Sequence, residues 1–141
     1  MGLISWLLSG CSAPRTQQEE YGNLESISRY IERLMLDGRE GGFLIISIQG
    51  TDDFIQFTGD AQGVQIDFPI VTKRQASLEQ AFMDACRVIG VSVKRSSGTD
   101  GSQFLDANIN GSVHEVSGKV WTVLSTLYSV SEDTTLAFKE G

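Results

Sequence analysis

The residues that could carry chemistry in this chain are few and lie far apart. The single histidine, His114, has no cysteines or clustered carboxylates around it, so no recognisable metal site is formed. The sequence contains no Gly-x-Ser-x-Gly motif and no Ser/His/Asp order typical of a nucleophilic triad. The Gly-Thr-Asp-Gly stretch at 98–101 lacks the lysine of a phosphate-binding loop. We therefore predict no catalysis, no cofactor and no bound metal.

Three aspartates fall in the turns of one predicted sheet. Asp52 and Asp53 follow the first predicted strand, and Asp60 follows the second. Successive hairpin turns lie at opposite ends of a sheet, whereas a calcium ion needs six to eight oxygen ligands around one point. Joint calcium binding by these residues is therefore not expected.

The two cysteines, Cys11 and Cys86, suggest different roles. Without a Cys-x-x-Cys spacing they indicate neither a redox motif nor a zinc site. Cys86 lies on the apolar face of a predicted helix, where a cysteine behaves as a small buried hydrophobe. Cys11 ends the tetrapeptide Leu-Ser-Gly-Cys, which is typical of a bacterial lipobox and makes Cys11 a candidate lipidation site.

The N-terminal segment leaves two hypotheses open. The apolar run at 3–8 is too short to span a bilayer. In a signal peptide a Lys or Arg precedes the apolar run, and none precedes it here. On one hypothesis it is an apolar tail that docks on a protein surface, and the protein is cytoplasmic. On the other, the protein is a membrane-anchored surface lipoprotein with an envelope-related role. A membrane partner is expected only if Cys11 is lipidated.

Length and charge indicate one acidic globular domain. The chain has 141 residues, of which 40% are hydrophobic, and its formal net charge is −7. Nucleic-acid binding needs a Lys/Arg surplus, so nucleic acid is not an expected partner. We divide the chain into an apolar tail and polar linker at 1–22, a domain at 23–131 and a C-terminal tail at 132–141.

The central stretch, 42–72, is predicted to form three antiparallel strands joined by two turns. The first strand is almost wholly apolar, as in strands buried on both faces. The third alternates, so that Val64, Ile66 and Phe68 share a buried face while Gln65 and Asp67 face water. Residues 135–138 are a possible extra strand. The predicted elements are helices at 23–36, 77–89 and 112–127, with strands at 43–49, 54–58, 64–68, 91–94 and 105–109.

Local end signals support these helices. Asn23 is the expected N-cap of the first helix. Ser77 and Ser112 each precede a glutamine or glutamate by three residues, which is the spacing of a capping box. Gly90 is suited to the left-handed residue after a helix. The fold class is therefore α+β, with the order α-β-β-β-α-β-β-α and an antiparallel sheet packed against helices.

The second predicted strand carries the most specific likeness to a known family. It reads Asp-Phe-Ile-Gln-Phe at 53–57, similar to the second strand of YbjN-like peptide-binding chaperone domains. The element order over 23–131 resembles the fold shared by these domains and type III secretion chaperones. The resemblance implies a bacterial, non-enzymatic domain that binds extended segments of a protein or peptide client, with a possible homodimer.

The alternation of this strand predicts which side chains meet a client. Phe54 and Gln56 are expected on the exposed face, and Ile55 and Phe57 on the buried one. An apolar patch around Phe54 and Leu44 would mark a partner surface. The candidate partner-binding residues are thus Leu44, Phe54 and Gln56. The alternative is that these side chains pack against the first helix or a dimer mate.

Overall fold

The computed structural model of the chain describes residues 19–36 and 42–141. The apolar run at 3–8 and Cys11 lie outside the described residues, so lipidation stays a prediction. In the described ranges no helix is long and apolar enough to cross a membrane.

Seven strands of the described ranges form one sheet, and every neighbouring pair is antiparallel. Their order across the sheet is β1-β7-β2-β3-β4-β6-β5, so β1 and β5 are the edges. The predicted α+β class and antiparallel sheet are confirmed. The strands are β1 (Glu19–Gly22), β2 (Phe43–Ile48), β3 (Phe54–Asp60), β4 (Gly63–Ile70), β5 (Val93–Ser97), β6 (Gln103–Asn110) and β7 (Leu136–Glu140).

Within the residues that the structure describes, four helices accompany the sheet: α1 (Ile27–Leu36), α2 (Lys73–Ser77), α3 (Glu79–Val88) and α4 (Val113–Tyr128). A 3-10 turn (Leu24–Ser26) leads into α1, and Asn23 caps it by accepting a hydrogen bond from the Glu25 amide. Ser112 caps α4 in a capping box, as predicted. Gly90 follows α3 with φ of 77°, the left-handed conformation that glycine adopts without strain.

Three local predictions are corrected. Ser77 is not an N-cap, because its hydroxyl donates to the Arg74 carbonyl oxygen at 2.6 Å and Thr72 caps the preceding α2. The expected polar linker ends in β1. Half of the expected C-terminal tail forms β7, which pairs with both β1 and β2 and buries Leu136, Ala137 and Phe138. The sequence predicts a possible extra strand at 135–138, and β7 covers most of that range.

The main core lies on one face of the sheet, called the helix face from here on. Its apolar side chains, including Leu44, Phe57 and Ile66, pack with the buried stripes of α1, α3 and α4. Phe68 of β4 stacks on Phe82 of α3 with ring centroids 4.8 Å apart. Cys86 is fully buried here, as predicted, and burial raises the pKa of its thiol to about 11.

Candidate functional site

The ladder between β2 and β3 places the predicted partner-binding residues on different faces. Leu44 pairs with Phe57, whereas Phe54 pairs with Ser47. Leu44 therefore lies on the helix face, where it is 0% exposed, and its predicted exposure is wrong. The reason is parity: the β2–β3 turn sets a register in which Leu44 and Phe54 point to opposite sides of the sheet. Phe54 is half-buried on the other side, called the second face.

Gln56 shares the second face with Phe54 but is not exposed. It pairs with Ile45 of β2 and Asp67 of β4, near the middle of the sheet, and its exposed fraction is 0%. Both of its amide atoms, Oε1 and Nε2, lack a hydrogen-bond partner in the described part of the chain. The predicted exposure of Gln56 is therefore wrong. Its neighbours in register, Ile45 and Asp67, are themselves 3% and 1% exposed, so this part of the second face is not open to solvent.

Polar side chains continue from Gln56 across the next two strands of the sheet, β4 and β6. Gln56 is opposite Asp67, Asp67 is opposite Asp106, and Asp106 is opposite Lys94 on the edge strand β5. Gln56, Asp67 and Asp106 are called the polar row from here on. Asp67 is only 1% exposed, so the prediction that it faces water is wrong.

The two carboxyl groups of the polar row are electrostatically strained. Asp67 Oδ1 accepts a hydrogen bond from Gln65 Nε2 at 2.8 Å. Asp67 Oδ2 and Asp106 Oδ1 are buried and have no hydrogen-bond partner among residues 19–36 and 42–141. Burial raises the pKa of Asp67 to about 7, and the neighbouring Asp106 carboxyl adds to this rise. The side-chain amides of Gln65 and, more weakly, Gln56 lower the pKa, although the Gln56 amide is not in hydrogen-bond geometry with Asp67. Two adjacent carboxylates out of water resist simultaneous ionisation, so the pair requires a proton or a cation.

A cavity of about 750 Å³ opens on the second face beside the polar row. Its volume is within the range of small-ligand and side-chain pockets. Ile45 and Phe54, which flank Gln56, contribute apolar surface. The complete lining is Ile45, Ser47, Thr51, Asp52, Asp53, Phe54, Thr72, Arg74, Gln75 and Tyr128.

Two contacts fix the rim of this large cavity. The Arg74 guanidinium donates to both carboxylate oxygens of Asp53, at 3.0 and 2.9 Å. Tyr128 Oη donates to the Phe54 carbonyl oxygen at 2.9 Å, and burial raises the pKa of this phenol. Both contacts join helices to the start of β3, so they hold Phe54 at the cavity wall.

A smaller cavity of about 200 Å³ lies on the other side of the polar row. Thr58, Gln65 and Asn108, which are neighbours in register on the second face, line it. Gln65 is also the residue that donates to Asp67, so it connects the small cavity to the polar row. Neither cavity is lined by Asp67 or Asp106; the polar row lies between them.

Sequence reasoning identified the strands of this site but missed the site itself. The alternation of apolar and polar residues predicts that Asp67 lies on the polar face of its strand. The pairing register of β4 and β6 brings the carboxyl groups of Asp67 and Asp106 together. These two strands are separated in the chain by two helices and β5. Within the described ranges no group of three or more His, Cys, Asp or Glu could hold a metal ion.

Comparisons of the chain with protein-family models, with curated proteins and with solved structures find no match. The resemblance to YbjN-like domains stays a prediction from the sequence.

Proposed function

We propose that this chain is a non-enzymatic domain that binds a protein or peptide client, in a chaperone-like or regulatory role, through the second face of its sheet. The observation that carries the proposal is the large cavity with apolar surface at Ile45 and Phe54. It lies on the face opposite the one that packs with α1, α3 and α4. Phe54 belongs to the strand on which the resemblance to peptide-binding domains is most specific.

The client is recognised by side chains rather than by strand addition at β3. Strand addition needs free backbone N–H and C=O groups along a sheet edge. The backbone of β3 pairs with β2 on one side and with β4 on the other, so it has no free edge. A client segment over β3 must therefore lie on the second face and insert side chains into the cavities.

Binding is favoured over catalysis by the position of the carboxyl pair. Two adjacent carboxyls with one raised pKa have the composition of an acid–base dyad. A general acid must come within hydrogen-bond reach of the reacting atom. Asp67 and Asp106 line neither of the two cavities, so a reacting bond held in either cavity is out of their reach, and only a long side chain that enters between the cavities meets them.

Selection of a peptide ligand tests the proposal. A random peptide library displayed on phage is selected against the immobilised full chain, and the enriched peptides are synthesised and measured by calorimetry. We expect Phe54→Ser to weaken binding at least about tenfold, because one buried aromatic anchor contributes more than 1.4 kcal/mol. Val88→Ser, at a 69% exposed position on α3, is the matched control. Equal affinity of both variants, or no enriched peptide, contradicts the proposal.

The lipoprotein hypothesis is a separate proposal about location. It depends on Cys11, which lies outside the described residues, and it is compatible with a client-binding domain. Mass spectrometry of the protein made in its own host decides it. A diacylglycerol-modified Cys11 at the mature N-terminus supports the anchor, and an intact N-terminus at Met1 or Gly2 eliminates it.

A further inference from the structure

We propose, resting on the function above, that the polar row binds the guanidinium group of an arginine in the client peptide. Three buried acceptor oxygens of the row, on Gln56, Asp67 and Asp106, lack partners within the described residues. The carboxyl pair is thus an incomplete cation site, and the fully buried Gln56 amide beside it is a second polar group without a partner.

The donor and acceptor pattern favours a guanidinium over a metal ion. A guanidinium presents five N–H donors in a planar fork that matches carboxylate oxygens, and it is more weakly hydrated than an ammonium group. The remaining Gln56 Nε2 needs an acceptor, which the carbonyl of an adjacent peptide bond supplies. A calcium ion needs six to eight oxygens and offers Nε2 no acceptor.

Charge favours the same ligand. The chain carries a formal net charge of −7, which attracts cationic segments. Lys94 is the basic residue opposite Asp106, but it is exposed, and the ion pairs of the described ranges do not include it. The row is therefore left to be neutralised by a proton or by an incoming cation.

The two cavities define the spacing of the client motif. Phe54, Gln56 and Thr58 are alternate residues on the second face of β3, so their side chains are separated by about 7 Å. Phe54 lines the large cavity and Thr58 lines the small one, with Gln56 between them. An extended peptide over β3 therefore places an apolar side chain, an arginine and a polar side chain at alternate positions.

Entry to the row requires a side-chain movement. Gln56 and Asp67 are almost fully buried, and the half-buried Phe54 and Gln65 are the cavity-lining residues next to them. Rotamer changes of this kind are common when interfaces form and take place within nanoseconds at exposed positions. Once inside, the arginine is shielded from water, which strengthens its ion pairs.

The test uses synthetic peptides and the full chain. The probe is acetyl-Ser-Leu-Ser-Arg-Ser-Thr-amide, and its control carries citrulline, a neutral isostere, in place of arginine. We expect the arginine peptide to bind about 10- to 100-fold more tightly, the range for charged hydrogen bonds. Binding should shift the side-chain amide resonances of Gln56 in nitrogen-15 NMR spectra. Asp67→Asn and Asp106→Asn should abolish the preference, whereas Asp133→Asn, at an exposed position, should retain it.

The outcomes separate this inference from the proposed function. If the library-selected peptides bind but arginine and citrulline peptides do not differ, the arginine site is wrong and the client-binding face stands. If Phe54→Ser leaves every peptide unaffected, the client-binding face is wrong as well. A shift of the Gln56 amide on addition of calcium chloride alone identifies a metal site instead. A shift caused by Arg15→Gln in the peptide-free chain identifies an arginine of the chain itself, and either result overturns the proposal.

Discussion

The two faces of the sheet differ in how many buried polar atoms lack a hydrogen-bond partner. In the described part of the chain, four such atoms belong to the polar row on the second face, whereas the helices contribute one, Ser117 Oγ of α4. On the helix face, buried apolar side chains meet those of three helices, and aromatic rings such as Phe68 and Phe82 stack directly. On the second face, Ile45 and Phe104 are buried too, but they surround a row of polar groups without partners. One face therefore stabilises the fold, while the other carries buried polar groups that cost stability.

The proposed ligand site would explain this difference. Native proteins satisfy the large majority of buried polar groups, so several unpartnered ones in one place need an explanation. An apolar side chain of similar shape at Gln56 would be more stable in isolation. Retaining an amide and two carboxyls there is consistent with a ligand that completes their hydrogen bonds.

The largest effect that distinguishes the faces is the loss of an aromatic side chain. We expect Phe57→Ala on the helix face to lower the free energy of unfolding by about 3–5 kcal/mol, because Phe57 is fully buried in the core cluster. Phe54→Ala on the second face should cost less than about 1.5 kcal/mol, since Phe54 is half-buried at a cavity. Urea unfolding of both variants gives the comparison. Equal losses would remove the distinction between the faces.

The pH dependence of stability tests the polar row. Burial raises the pKa of Asp67 from its ordinary value of 3.8 to about 7 in the folded protein. Between about pH 4 and pH 7, therefore, this carboxyl is protonated in the folded state and ionised in the unfolded state. The free energy of unfolding should therefore fall as pH rises from about 4 to about 7 and level off above. Each pKa unit corresponds to about 1.4 kcal/mol, so a rise of about three units gives a fall on the order of 4 kcal/mol.

Asp67→Asn should remove most of this slope and exceed the wild type in stability at pH 8. The other titratable groups in the same row of paired residues are Asp106 and Lys94 on one side, and Lys139 of β7 and Glu19 of β1 on the other. All four remain in the variant. Urea midpoints at pH 5 and pH 8 measure the effect, with Asp133→Asn as the control. An unchanged slope in Asp67→Asn would show that Asp67 ionises normally.

A smaller effect of opposite sign is expected at Gln56. Gln56→Leu removes two unpartnered amide atoms and keeps the side chain's approximate volume, so we expect a gain of about 1–2 kcal/mol. Gln65→Leu is the matched change, and it should lower stability because Gln65 Nε2 donates to Asp67 Oδ1. Urea unfolding at pH 5 checks both. A loss of stability in Gln56→Leu would mean that this amide is satisfied in solution.

Local signals in the sequence predicted the elements well but not their edges. Asn23, Ser112 and Gly90 determine helix ends through contacts within about one turn of their own positions. The structure places them in the predicted capping and helix-ending roles. The strand β1 was missed because Glu-Glu-Tyr-Gly has no apolar alternation; its pairing is supplied by β7 at the other end of the chain. Such long-range pairing leaves no local pattern.

The candidate site depends on register, which a single sequence specifies only indirectly. The faces of Leu44 and Phe54 depend on the pairing across the β2–β3 turn, and a shift of one residue would exchange them. The meeting of Asp67 with Asp106 depends on how β6 returns beside β4 after α2, α3 and β5. Alternation predicts that Asp67 is on the polar face of its strand, but not that this face is buried or that Asp106 lies beside Asp67.

The smallest effect contrasts a solvated ion pair with the buried row. Arg33 of α1 donates to both carboxylate oxygens of Glu140 on β7, at 3.0 and 2.9 Å, and its side chain is 39% exposed. We expect Arg33→Gln to cost less than about 1 kcal/mol, because exposed ion pairs lose most of their energy to water. Salt at 1 M, where the Debye length is about 3 Å, should nearly abolish this cost while leaving the Asp67→Asn effect at pH 8 largely intact. Unfolding midpoints at low and high salt measure both, and an equal salt response would place the polar row in contact with solvent.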